Sequence, residues 1–172
     1  LGNGVILAGG QLRSGGTYTI CKSTDYGNTW AGFKTLGFIV RSGAVDLVSG
    51  TIVICVSPAS GNMGIYRSTD GGNNWSYVYL SDSDLLGPTV KYLGDGVFIV
   101  GGYVSTTGPA KLIVSFDYGI TWRMIWQCDT TATSLDSIDY SPTTGELFVL
   151  CAKYGSPFTA YLYATPQIGD IF

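Results

Sequence analysis

Ser23-Thr24-Asp25-Tyr26-Gly27-Asn28-Thr29-Trp30 returns as Ser68-Thr69-Asp70-Gly71-Gly72-Asn73-Asn74-Trp75, and again as Ser115-Phe116-Asp117-Tyr118-Gly119-Ile120-Thr121-Trp122. All three read S-x-D-x-G-x-x-W. The copies are 45 and 47 residues apart, which is the length of one four-stranded propeller blade. Each part of the octapeptide has a local task. Ser and Asp side chains bond to backbone groups inside a turn and replace ladder bonds that the turn cannot make. The Gly two residues after the Asp allows positive φ at little steric cost. The Trp opens the outgoing strand and brings a large apolar body.

The repeat reaches beyond the octapeptide. Leu1–Trp30 lies on Leu93–Trp122 without a gap, with identity at 13 of 30 positions. A middle copy starts near Leu47. A fourth runs from about Ser134, keeps the turn Ser141-Pro142-Thr143-Thr144-Gly145, and has lost the octapeptide at Ala164–Asp170. Apolar residues alternate with polar ones at period two, and no stretch keeps a helical period. The expectation is an all-β chain, a β-propeller with about four four-stranded antiparallel blades: 1–36, 37–82, 83–129 and 130–172, forming one region over 1–172.

With strands A to D counted outward from the axis, blade 1 shows B near Val5–Gly9, C near Tyr18–Lys22 and D near Trp30–Thr35. Blade 2 shows A near Gly43–Val48, B at Thr51–Val56, C at Gly64–Ser68 and D at Trp75–Leu80. Blade 3 shows A near Thr89–Leu93, B at Val97–Gly101, C at Lys111–Ser115 and D at Trp122–Trp126. Blade 4 shows A near Ser137–Tyr140, B at Leu147–Ala152 and C at Ala160–Ala164, with Gly169–Phe172 as a possible start of D. Blade 1 thus lacks its inner strand and blade 4 a convincing outer one. Bare strand edges invite a partner strand. Neighbouring polypeptide or a homo-oligomer is therefore expected to complete the terminal blades.

Composition narrows the function classes. The chain has 172 residues, a formal charge of −3, 45% hydrophobic and 12% charged residues. Its 9 Lys and Arg stand singly, so no basic stripe is present to neutralise phosphates, and nucleic acid is not an expected partner. No apolar run reaches membrane-span length. His is absent, which removes the commonest general base and metal ligand. Cys21, Cys55, Cys128 and Cys151 fall in four different blades without a C-x-x-C pair, and they read as reduced thiols of a protein folded in a reducing cytosol. No metal and no cofactor is expected.

The three octapeptides resemble the Asp-box, or bacterial neuraminidase repeat, of the sialidase-like propellers. That superfamily includes exo-sialidases, xyloglucan-degrading glycosidases, sortilin-like receptors, photosystem assembly factors and many surface proteins. The resemblance implies that Ser23, Asp25, Gly27, Trp30, Ser68, Asp70, Gly72, Trp75, Ser115, Asp117, Gly119 and Trp122 are peripheral fold residues. A sialidase also requires, by resemblance, three Arg on a carboxylate, a Tyr/Glu nucleophile pair and an Asp acid/base. Here the Phe/Tyr-Arg-Ile-Pro segment is missing, Arg67 adjoins an Asp-box, Arg123 lies on an outer strand, and Glu146, the only Glu, follows an A–B turn on the opposite face. A glycosidase needs two facing carboxylates. Asp82 and Asp84 in one D–A loop, and Asp129 and Asp136 in the next, are candidates that read more simply as solvated loop residues. No catalytic residue is assigned, and the chain is expected not to be an enzyme.

B–C and D–A loops gather on the face opposite the Asp-boxes and differ most between repeats, which is where a rigid repeat protein binds. Arg13, Arg41, Asn62, Tyr103 and Tyr154 are the candidate contacts there for a glycan or protein partner. Trp75, Tyr77 and Tyr79, like Trp122, Met124 and Trp126, alternate along a strand, and each set is expected to line one sheet face in inter-blade packing. The wording Leu1–Gly9 followed by Ser23–Trp30 also resembles repeats of bacteriophage tail-fibre and other virion surface proteins. That resemblance implies a binding or structural module on a virion or an extracellular surface. The alternative is a fragment of a sialidase or other glycoside hydrolase whose catalytic residues lie largely elsewhere.

Overall fold

A computed structural model describes residues 1–10, 19–57, 63–80, 85–104, 109–128, 134–153 and 159–165. Among them there is no helix. There are four antiparallel sheets. The first holds β1 (Ile6–Gly9), β2 (Ile20–Ser23) and β3 (Ala31–Lys34). The second holds β4 (Ile39–Val45), β5 (Ile52–Ser57), β6 (Gly64–Ser68) and β7 (Ser76–Leu80). The third holds β8 (Leu85–Gly94), β9 (Val97–Val104), β10 (Ala110–Ser115) and β11 (Arg123–Gln127). The fourth holds β12 (Ser134–Tyr140), β13 (Leu147–Lys153) and β14 (Thr159–Thr165). Within every sheet the strands pair in chain order, the up-and-down pattern of propeller blades.

Three apolar clusters lie between consecutive sheets. Val40, Ile52, Ile54 and Val56 meet Ile20, Leu7 and Phe33 between the first two. Val53, Cys55, Met63 and Ile65 meet Val90, Phe98, Val100 and Ile113 between the second and third. Ile99, Ala110 and Leu112 meet Leu135, Ile138, Leu147, Val149 and Cys151 between the third and fourth. Each middle strand therefore sends alternate residues to two neighbours, which is why β5 is buried along its whole length. None of these clusters joins the fourth sheet to the first. On the outward side of the fourth sheet, Leu150 and Leu162 pair across β13 and β14 and are both exposed.

Three sequence expectations need correction. The inner strand of the second sheet is Ile39–Val45, earlier than Gly43–Val48. Asp46 ends it: its carboxylate accepts from the Val48 N–H and the Ser49 hydroxyl, and the resulting turn leaves Leu47 and Val48 exposed. Asp136 lies on β12, exposed, and not in a D–A loop. The aromatic sets do not each line one face. Register shifts at Ile65/Tyr66 and Leu112/Ile113 turn the outer strands over. As a result Trp75 packs toward the first sheet while Tyr79 packs toward the third, and Trp122 and Trp126 divide in the same way. Tyr77 and Met124, between them, stay exposed. Gly169–Phe172 lies outside the described residues.

Candidate functional site

The three octapeptides fold alike. In the first, the Ser23 hydroxyl donates to Asp25 Oδ1 (2.8 Å) and accepts from the Gly27 N–H (2.8 Å). Asp25 in turn accepts from the Thr29 N–H (2.8 Å) and the Thr29 hydroxyl (2.6 Å). Ser68–Asp70–Gly72–Asn74 and Ser115–Asp117–Gly119–Thr121 repeat the pattern. The side chain of the residue after the Gly distinguishes them: Asn28 and Asn73 donate to the carbonyls of Asp25 and Asp70, whereas Ile120 has only its backbone N–H to offer Asp117. Trp30 and Trp122 donate their indole N–H to Gly27 and Gly119 carbonyls. The Trp75 indole N–H is buried without a partner.

These carboxylates are held by their turns. The Thr29 hydroxyl holds the Asp25 carboxyl below its ordinary value, and the Asn74 backbone does the same for Asp70. Burial pushes Asp117 up, but the bonds from Thr121 and Ser115 outweigh it and leave it lowered. A carboxylate held ionised by turn donors is a poor general acid at neutral pH.

The turns also join neighbouring sheets. A Cβ placed on Gly119 would come within 2.8 Å of Val53 in the preceding sheet, and one on Gly72 within 3.2 Å of Leu7. Arg67 Nε donates to the Tyr118 carbonyl (2.6 Å), and Lys34 Nζ to the Asn73 carbonyl (2.8 Å). Gly27 meets no atom of another sheet.

Other acids are engaged structurally as well. Asp46 is fully buried; burial raises its pKa, yet bonds led by Ser49 and Val48 leave it lowered. Asp139 pairs with Lys91, and Glu146 accepts from the Thr144 hydroxyl. Arg123 stacks over Phe116 at 4.8 Å. Sequence reasoning missed Asp46; its place before Ser49-Gly50 was the available signal.

Of the five candidate binding residues, Arg13, Asn62 and Tyr154 lie outside the described residues, as do Asp82, Asp84 and Asp129. Tyr103 falls near the end of β9. Arg41 is exposed on β4, at the shift in register between Val40 and Ser42. It stands at a cleft of about 350 Å³ between the first two sheets, lined by Leu1, Val5, Ile6, Leu7, Gly9 and Ile20 on one side and Val40–Val45, Ile52, Ile54 and Trp75 on the other. Among the described residues no group of His, Cys, Asp and Glu has the arrangement of a metal site, and no helix is long and apolar enough to cross a membrane. All four cysteines are free.

No family model matches the chain, and no curated protein matches it in sequence. Solved structures match it in fold. NanB sialidase from Streptococcus pneumoniae aligns at TM-score 0.61 and 19% identity over 84% of this chain and 25% of its own. The GH74 enzyme of Niastella koreensis aligns at TM-score 0.66 and 13% identity over 96% and 27%. A chain of the nidogen/laminin complex aligns at TM-score 0.59 and 14% identity over 92% and 60%. The chain thus has the sheet arrangement of the sialidase-like propellers and spans a quarter to three-fifths of these structures.

Proposed function

We propose that this chain is a section of a carbohydrate-active β-propeller, alike in plan to sialidase and GH74 enzymes, that supplies blades and a loop-bearing face while the catalytic residues lie largely outside this chain. The observation that carries this reading is the partial match. The four sheets correspond to about a quarter of two glycoside hydrolases. The acids support it: Asp25, Asp46, Asp70, Asp117, Asp139 and Glu146 are each bound into a turn or an ion pair. Retention of a glycan, not turnover, is the expected property of the chain by itself.

A glycan array with the 172-residue chain, run beside sialidase and glucanase assays, tests the reading. The expected result is glycan retention without hydrolysis, weakened several-fold by Arg41→Ala. Turnover abolished by Asp136→Asn would overturn it.

The second reading is a non-catalytic module that presents its loops to a protein, on a virion or an extracellular surface. The likeness to a chain of a nidogen/laminin complex favours it, and the wording of Leu1–Gly9 and Ser23–Trp30 adds the virion setting. Co-purification of a protein partner with no glycan retained on the array would favour this reading over the first.

A further inference from the structure

We infer that Tyr66 and Tyr77, backed by Phe38, form a binding site for a neutral pyranose sugar on the outer part of the second sheet. The inference goes beyond the functional reading above, which concerns the loop-bearing face. It rests on a departure from the internal repeat and on the geometry of three aromatic rings.

Tyr66 stands two residues before the octapeptide's Ser68, and Tyr77 two residues after its Trp75. Just past the register shift they lie opposite each other on β6 and β7. The same pair is Ile113 and Met124 in the third sheet, and Cys21 and Gly32 in the first. The octapeptide fold therefore does not require aromatic residues at this place. The second member of the pair meets solvent in both larger sheets, since Met124 and Tyr77 are exposed. What the second sheet adds is a pair of phenols where its neighbour has aliphatic side chains.

A further departure makes room for them. Four residues before the octapeptide's serine, the first and third copies carry Thr19 and Lys111, whereas the second carries Gly64. A Cβ on Gly64 would stand 3.3 Å from both tyrosine rings. Phe38, just before β4, closes the back. Its ring centroid lies 5.6 Å from that of Tyr66, and both residues pack on the apolar cluster between the first two sheets. The Tyr66 and Tyr77 centroids are 5.4 Å apart and their planes meet at 67°. The two rings thus form an apolar corner with one wall anchored in the core and the other open to solvent.

The polar atoms of the corner are uncommitted. Among the described residues neither phenol hydroxyl has a hydrogen-bond partner. Burial raises the pKa of both phenols, and Tyr66 raises that of Tyr77 further. Both therefore stay protonated at neutral pH, each with a donor and acceptor lone pairs to offer. Apolar walls with a few convergent polar groups are the make-up of small-molecule sites. A pyranose answers to it: its ring C–H groups present an apolar face, and its hydroxyls surround the edge. A proline ring would match the walls but leave the phenols unanswered. Among the described residues the cations found on aromatic rings are Lys22 over Phe33 and Arg123 over Phe116, not at this corner. A sugar carboxylate would gain nothing there, so the site selects a neutral sugar.

The test titrates cellotetraose, a neutral β-linked glucose oligomer, into the full chain, with sialyllactose and a proline-rich peptide as comparisons. Binding is followed through the tyrosine ring resonances in NMR, assigned with Tyr66→Phe and Tyr77→Phe. Cellotetraose is expected to shift the Tyr66 and Tyr77 resonances, and sialyllactose to bind no more tightly. Tyr77→Ala is expected to weaken binding about tenfold through the lost ring face. Either Phe variant is expected to weaken it about threefold through one lost hydrogen bond. Arg41→Ala is expected to leave the shifts unchanged. The shifts on the unaltered chain stand even if a variant folds poorly. Unmoved Tyr66 and Tyr77 resonances, undiminished affinity in Tyr77→Ala, or capture of the peptide and not the sugar would overturn the inference. A sugar that binds without moving these resonances and is lost with Arg41→Ala would also overturn it, while supporting the loop-face reading.

Discussion

Ser115 is buried, and its hydroxyl both donates to Asp117 and accepts from the buried Gly119 N–H. Removing it leaves that N–H without a partner, which costs the group's desolvation penalty. Ser115→Ala is expected to lower stability by about 1–3 kcal/mol in chemical denaturation. The tryptophans separate in the same currency. Trp122 donates to Gly119 and Trp75 donates to nothing. Trp75→Phe is therefore expected to be milder than Trp122→Phe by about 1 kcal/mol, one hydrogen bond's net worth; equal losses would show that the indole N–H is irrelevant at both places. The lowered carboxyls of Asp25, Asp70 and Asp117 predict the acid limb. Their folded-state values lie below the unfolded value of about 3.9, so the stability they contribute is present above that value and is lost as pH falls through the lower folded values. Thermal melts between pH 7 and pH 2 are expected to show Tm falling below about pH 4, and less steeply when Asp117 is replaced by Asn. The octapeptide's chemistry was legible in sequence because each of its bonds spans four residues or fewer. One part of its backbone was not. Tyr26 and Tyr118 share the left-handed region with the following Gly, at φ of 60° and 59°, and a tyrosine gives no sign of that.

At the level of elements, sheet spacing depends on small residues whose neighbours come from another sheet. A Cβ on Gly9 would stand 2.5 Å from Val40 Cγ1, whereas one on Gly10 meets nothing within 4 Å. Val has little rotameric freedom to yield. Gly9→Ala is expected to cost about 1–3 kcal/mol by overpacking, and Gly10→Ala to be close to neutral; denaturation of the two variants side by side checks this. The Gly9-Gly10 pair was visible in sequence, but which of the two is indispensable was not, since Val40 lies 31 residues away. Strand positions were legible because alternation and turns are local. The bulges were not, and they alone decide that Trp75 faces one neighbour and Tyr79 the other.

For the whole molecule, the described sheets pack first on second, second on third and third on fourth. Cys21, on the first sheet, corresponds by repeat to Ile113, which is buried against the second sheet; among the described residues no sheet packs on Cys21 in that way, and it is only half-buried. Cys55 and Cys151 are buried, and burial pushes the Cys151 thiol up to about 12 and Cys55 higher still. Titration with a thiol reagent at neutral pH is expected to modify Cys21 alone, with the other three reacting only on unfolding. Rapid modification of Cys55 would show that the second and third sheets do not pack as described.

The sequence by itself determined the repeat, the all-β class and the turn chemistry, because all three are written in short spacings that recur. Only the tertiary structure decided which side chains meet across the sheets, that Asp136 belongs to a strand, that Asp46 is a buried turn residue, and that a cleft lies between the first two sheets. Those facts depend on contacts between residues tens of positions apart, set by twist, bulges and packing, and no local pattern encodes them.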